Sequence, residues 1–306
     1  MKVLLLCSAV EGSYAEAHMR VYKAVFGEDA HTIFVDKNKS KGGIKESVEL
    51  KSKNISEYDY VIGIGDSFFS LKFDSKKEVK SIFGDTPTIE FNNLPKATNK
   101  SDIIFYHIKS PSLVPNNYFV GQGLFTENLY VKEDRDFSRL NVFVDHFYGK
   151  NQQDITDDIL QYLEKIHNQY PVDVYFQNSY GITKNIFHRK NTLNNKYKTY
   201  PHERLSKYYR KTDIAFPTHR ESMGCFCPEI ALCGGVSYLK NYMYHPEIRK
   251  NFKHVIYNNL KGIDWDKIIK YNTLENKLKI REDAYKSFSI ESYKKRIYKT
   301  LENIKK

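Results

Sequence analysis

Two carboxylates eight positions apart, Glu221 and Glu229, stand in the stretch Thr212–Val236, TDIAFPTHRESMGCFCPEIALCGGV. Carboxylates accept hydrogen bonds well from ribose and sugar hydroxyls. The short apolar run Ile214–Phe216 reads as a strand that ends at Pro217, and Thr218–Gly224 reads as an exposed loop. A helix is expected over roughly Pro228–Cys233, because proline suits a first helical turn, where its missing N–H costs nothing. The backbone N–H groups at Met223, Gly224, Cys225 and Phe226, with the positive helix end, can hold an anion or a hydroxyl-rich ligand. With Glu221 on the loop and Glu229 in the first turn, both can face one cleft. Gly234-Gly235 ends the helix and admits close backbone approach before the next strand. An ordinary βαβ turn with surface glutamates would use the same residue types.

These residues need a frame, and the chain supplies alternating elements. Val3–Cys7 is a continuous apolar run, as a strand buried on both faces requires. A turn at Glu11-Gly12-Ser13 follows, with Ser13 able to cap a helix over Tyr14–Phe26 that Gly27 ends. Further strands are expected at His31–Val35, Tyr58–Ile64, Thr88–Phe91, Ile103–Ile108 and Tyr118–Val120. The charged, patternless segment Thr126–Arg139 reads as a linker. The alternation then restarts: strand Asn141–Asp145, helix Asp154–His167, strand Val172–Gln177, helix His202–Lys211, strands Val236–Leu239 and His254–Tyr257. Strands alternating with helices predict an α/β chain with mostly parallel sheets, and two such series suggest two Rossmann-like halves facing each other. Arg281–Lys306 reads as one amphipathic helix, with Ile290, Tyr293, Ile297, Leu301 and Ile304 on one face.

With 306 residues the chain has room for two domains, and 41% hydrophobic residues exclude wholesale disorder. Lys and Arg number 48 against 37 Asp and Glu, a net charge of +11, so an anionic partner is expected: nucleic acid, an acidic membrane face or a phosphorylated small molecule. Cys225, Cys227 and Cys233 have neither zinc-site spacing nor the density of a disulfide framework, which fits reduced cysteines in a cytoplasmic protein. The apolar run Val3–Leu6 falls short of the ~7–15 residues of a secretory core, and no run approaches the ~18 of a membrane span. Neither Gly63-x-Gly65 nor Gly121-x-Gly123 completes G-x-G-x-x-G, which argues against a dinucleotide oxidoreductase.

The Thr212–Val236 stretch resembles the signature of GT-B-fold, retaining, nucleotide-sugar glycosyltransferases. Asp213, Pro217 and Thr218, then Glu221 and Glu229, then Ala231, Cys233, Gly234 and Val236 fill the family's places. The family's Gly-x-Pro-Val element is imperfect here, with Gly234-Gly235-Val236-Ser237. A second match is NVFVDHFYGKNQQDITDDILQYLEKI (141–166), where Asp145-His146 replaces the usual Gly-Arg and Lys150 falls at the lysine place. The last helix resembles the family's closing helix, so the likeness covers roughly residues 137–306. Residues 1–130 match only in their alternating pattern.

The resemblance implies a GT-B fold, with two Rossmann-like domains facing across a cleft and a C-terminal helix crossing back. The expected parts are an acceptor-side domain over 1–130, a donor domain over 137–285, and a helix over 286–306 packing on the first. It implies that Glu229 binds the donor ribose, and that Glu221 and the amides of 223–226 hold the sugar. Lys150 would neutralise the leaving diphosphate, with His146 or Arg220 standing in for the absent arginine. His107 takes the place of a histidine near the donor sugar, and Gly12, Ser13 and Asp66 lie on the acceptor side. No metal and no cofactor are expected beyond the nucleotide-diphosphate sugar (UDP- or GDP-type) as co-substrate, because no Asp-x-Asp motif is placed to bind a metal. The acceptor is expected to be a glycan, a lipid-linked sugar or DNA. The DNA option rests on a more distant resemblance to phage-type α-glucosyltransferases acting on hydroxymethylated bases, which would place the protein in a host cytoplasm. The basic balance also allows peripheral contact with an anionic membrane. A non-catalytic sugar-nucleotide or nucleic-acid binding module on the same fold is the alternative of another class.

Overall fold

The computed structural model describes residues 1–8, 14–35, 57–64, 78–82, 103–106, 117–145, 153–178, 181–185, 202–218, 224–241, 243–244 and 246–305. The chain forms two compact units, Met1–Leu124 with Phe288–Lys306, and Phe125–Ser287.

The first unit carries a six-stranded, wholly parallel sheet. Its strands are β1 (Val3–Ser8), β2 (Ala30–Val35), β3 (Tyr60–Ile64), β4 (Glu78–Ile82), β5 (Ile103–Tyr106) and β6 (Asn117–Phe119), in the order β2-β1-β3-β4-β5-β6. Val3 to Leu6 are fully buried, as the unbroken apolar run requires of a strand covered on both faces. Helix α1 (Tyr14–Phe26) crosses from β1 to β2. It packs against the last helix of the chain, where Tyr22 meets Tyr293 edge-on, ring centroids 6.0 Å apart.

The second unit also has six strands: β7 (Leu140–Asp145), β8 (Val172–Asn178), β9 (Gly181–Lys184), β10 (Ile214–Pro217), β11 (Val236–Leu239) and β12 (His254–Ile256). Their order is β12-β11-β10-β7-β8-β9, parallel except for β9, which closes a hairpin on β8. The helices between them are α2 (Gln153–His167), α3 (His202–Tyr209), α4 (Phe226–Leu232) and α5 (Pro246–Arg249), and α6 (Trp265–Tyr271) follows β12. Alternation along the strands assigns the two faces. Val142, Val144, Ile214 and Phe216 join Ile159, Leu163 and Ile166 of α2 in one core cluster. Phe143 points the other way, against Tyr209 of α3 and Phe226 of α4.

Three expectations change. The segment Thr126–Arg139 is not a free linker: it belongs to the second unit, with Leu129 and Val131 buried and Arg135 paired to Asp213. The strand between β3 and β5 is Glu78–Ile82, whose Glu and Lys hid it; Thr88–Phe91 lies outside the described residues. The single closing helix is two, α7 (Leu274–Phe288) and α8 (Ile290–Lys305). They part at Ser289, which bridges to Leu124 and whose hydroxyl accepts from the Ser292 N–H. Leu124 N–H also donates to Phe288 O at 2.7 Å, so the break is tied to β6's exit from the first sheet. Among the described residues no helix is long and apolar enough to cross a membrane.

Candidate functional site

The two motifs singled out in the sequence leave from neighbouring strand ends. β7 and β10 pair in parallel with Asp145 opposite Pro217. Thr218 is fully buried, and its hydroxyl donates to Asp145 O at 2.6 Å. The loops that carry His146 and Lys150 on one side, and Arg220, Glu221 and Met223 on the other, therefore begin side by side at the carboxyl edge of the sheet. That edge is where open α/β sheets bind ligands. Those five residues lie outside the described residues, as do Gly12, Ser13, Asp66 and His107.

The described part of the site is the turn, helix and turn from Gly224 to Gly235. α4 starts at Phe226, two residues before the expected Pro228, with Cys225 at its N-cap and no side-chain cap. Pro228 thus sits third in the helix, still inside the first turn. Cys227 N–H donates to the Tyr244 hydroxyl at 3.3 Å, and Glu229 N–H to Cys225 O at 2.8 Å. Glu229 is half-buried in the first turn, while Phe226, Cys227, Pro228, Ile230, Ala231 and Leu232 are buried. Glu229 is thus the one residue of this helix that is not buried.

The C-terminal turn is built for glycine. Gly234 N–H donates to Ala231 O and Gly235 N–H to Ile230 O, both at 2.9 Å, the two bonds of a Schellman cap. Gly234 has φ +80, and a Cβ there would lie 2.8 Å from Lys277 Cβ and 2.9 Å from Lys277 O. Behind this turn sits Cys233, a buried thiol pushed up first by burial and then by the charge of Glu229 one turn back.

A buried ionic cluster fixes the root of β10. Asp213 accepts from Arg135, from Lys277 Nζ at 2.5 Å and from the Asn141 N–H at 2.7 Å. All three ionic side chains are at most 7% exposed. Arg135 also donates to Lys211 O at 2.7 Å, and Lys277 Nζ to Gly234 O at 3.4 Å. One acid thus ties together the segment before β7, β10, α7 and the turn after α4. Two cations face one anion, and burial, against the attraction of Asp213, holds the Lys277 ammonium below the usual lysine range.

Sequence reasoning flagged Asp213 but missed Arg135, Lys277 and Tyr244. Tyr244 is buried, packs edge-on against Phe252, and has a left-handed backbone at φ 58. A bulky residue there is an outlier that its packing must hold in place. Among the described residues no group of three or more His, Cys, Asp or Glu side chains is placed to hold a metal ion.

No family model matches the chain, and no curated protein matches it in sequence. Solved structures do match in fold. HepE of Anabaena, solved in complex with UDP, aligns with TM-score 0.62 at 12% identity over 99% of this chain and 100% of that one. Sucrose-phosphate synthase of Thermosynechococcus elongatus aligns with TM-score 0.63 at 10% identity over 99% of each chain. An α-glucosyltransferase solved with UDP and a 13-mer DNA aligns with TM-score 0.59 at 11% identity over 99% of each chain. Over nearly its whole length, the chain has the fold of the GT-B glycosyltransferases.

Proposed function

We propose that the protein moves a sugar from a nucleotide-diphosphate sugar to an acceptor hydroxyl with retention of anomeric configuration. The observation that carries this reading is the site's frame: β7 and β10 locked together by Thr218 and Asp145, with the half-buried Glu229 in the helix that follows. The fold likeness to HepE, which was solved with UDP, supports it. In this reading Glu229 accepts hydrogen bonds from the donor ribose, and Glu221 with the amides of 223–226 holds the sugar. The bond from the anomeric carbon to the diphosphate breaks, the acceptor oxygen bonds to that carbon on the same face, and the acceptor's hydroxyl proton passes to the leaving diphosphate. Lys150, with His146 or Arg220, offsets the charge on the leaving diphosphate. The reading also gives His107 a role towards the donor sugar, and Gly12, Ser13 and Asp66 roles towards the acceptor. The reading assigns no metal and no further cofactor.

Titration calorimetry with UDP and GDP, free and as sugar conjugates, tests the donor site. Loss of a charge-assisted hydrogen-bond pair costs about 1.5–3 kcal/mol. Glu229→Ala and the isosteric Glu229→Gln should therefore both weaken the preferred nucleotide roughly tenfold or more. Wild-type affinity in both variants would remove the assignment. Lys150→Ala should chiefly lower turnover, measured as released diphosphate.

The favoured acceptor readings are a glycan or lipid-linked sugar and, second, DNA. Two facts support the second: the α-glucosyltransferase solved with DNA has the same fold, and the excess charge is unevenly placed. Residues 1–124 contribute +1, residues 125–287 contribute +6 and residues 288–306 contribute +4.

A further inference from the structure

The face of the second sheet opposite α4 carries a cavity of about 650 Å³ between α2 and the segment from Tyr257 to Trp265. That volume lies in the usual range for small-ligand sites. The core cluster on this face contains Ile214, Phe216 and Trp265, whereas α4 packs against Phe143 on the other face. The cavity is thus separate from Glu229 and the turn around Gly234.

Its lining is apolar, with four aromatic rings among isoleucines and a leucine; Trp265 and Tyr257 are buried, so Tyr162 and Tyr170 are the rings open to a ligand, and the rim is polar. Trp265, the single tryptophan of the chain, is buried and fixed by a hydrogen bond from its Nε1 to the Tyr162 hydroxyl at 2.7 Å. Tyr162 and Tyr170 flank it, with ring centroids 6.4 and 6.5 Å from its own, and both remain half-exposed. Around the rings stand the exposed amides Gln161, Gln169 and Asn258 and the exposed carboxylate of Asp158. Three lysines, Lys165, Lys240 and Lys261, complete the rim.

We propose that this cavity is a carbohydrate-binding site for an acidic oligosaccharide, distinct from the donor site. Pyranose rings present C–H faces that pack on aromatic rings, and their hydroxyls pair with amides and carboxylates. Three lysines against one aspartate select for negative charge on the sugar. The inference does not depend on the transferase reading, since it concerns other residues on the other face. On a transferase, such a site would keep a polymeric acceptor near the catalytic edge by raising its effective concentration.

The test uses the full chain and the emission of its single tryptophan, with calorimetry as a second readout. Tetragalacturonate should change the Trp265 emission saturably. The neutral cellotetraose should bind at least tenfold more weakly. Lys165 and Lys261 are exposed, so K165E/K261E should keep the fold and weaken tetragalacturonate at least tenfold, with nucleotide binding unchanged. The proposal is overturned if tetragalacturonate gives neither an emission change nor heat at millimolar concentration. It is equally overturned if K165E/K261E binds it like the parent, or if a short single-stranded oligonucleotide binds as tightly at this site. Failure of nucleotide binding in the same preparation would count against the transferase reading alone.

Discussion

Asp213 occupies a place that the motif marks, but its importance comes from partners the sequence does not connect to it. Arg135 lies 78 positions away, and Lys277 sits inside an ordinary-looking helical stretch. Ion pairing over such separations leaves no local pattern, so only the acid was legible. Removing one partner of a buried ion pair leaves an uncompensated charge, at a cost of about 3–5 kcal/mol. Asp213→Ala strands two buried cations and should lose that much in urea unfolding. Lys277→Met removes the surplus cation and keeps the Arg135 pair, so it should stay within about 1 kcal/mol of the parent. Equal losses for the two would show that the cluster acts through shape rather than charge balance. Asp173 makes a pH-dependent case. Burial would raise its carboxyl, but hydrogen bonds from Arg139, Lys184 and Asn185 overcome this and hold it down to about 2. A carboxyl depressed in the folded state stabilises above its unfolded value and loses that contribution as pH falls through the folded one. Asp173→Asn should therefore cost about 2 kcal/mol at pH 7. The gap to the parent should shrink to roughly half by pH 3, as followed by unfolding at each pH.

Among the elements, the apolar parallel strands were legible because full burial demands unbroken runs such as Val3–Leu6 and Val142–Val144. β4 was not, since Glu78 and Lys80 interrupt its pattern, and β9 was not, since four residues ending in lysine resemble a loop. The two closing helices looked like one because the apolar spacing continues through Ser289, although a serine just before the apolar Ile290 is itself an N-cap signal. The Gly234-Gly235 pair was legible as a helix stop, and the structure adds the reason that only glycine fits. At φ +80, with Lys277 2.8 Å from a would-be Cβ, Gly234→Ala should lose well over 1 kcal/mol and lower the melting temperature by several degrees. Because that turn hangs on α4, the same variant should also weaken nucleotide binding. A destabilised variant with intact donor affinity would separate the cap from the site.

At the scale of the whole molecule the question is what the surplus charge is for. A donor diphosphate needs one or two cations, yet residues 125–306 carry nearly all of the excess. On α3 and the turn after it, Arg204, Lys207 and Lys211 are exposed around one groove with Tyr208, whose ring meets Tyr175 edge-on at 5.9 Å. Lys184 stands opposite Tyr175 in the β8–β9 pair, and Arg139 shares Asp173 with it. Among the described residues the acids of this group are Asp173, already paired, Asp136 beside Arg139, and Glu203 at the edge. Such a surface meets phosphates by releasing their counterions, and each contact adds about 0.9 to the slope of log affinity against log salt for duplex DNA. If DNA is the acceptor, the protein should bind duplex DNA tightly at low salt, with affinity falling by orders of magnitude towards 0.2 M. R204E/K207E/K211E should then lower the salt slope by up to about 3 while leaving nucleotide affinity unchanged. Absence of DNA binding at low salt would remove DNA as acceptor, and an unchanged slope in the triple variant would move the contact to another basic face, of which α8 with exposed Lys294, Lys295 and Lys299 is the next to reverse.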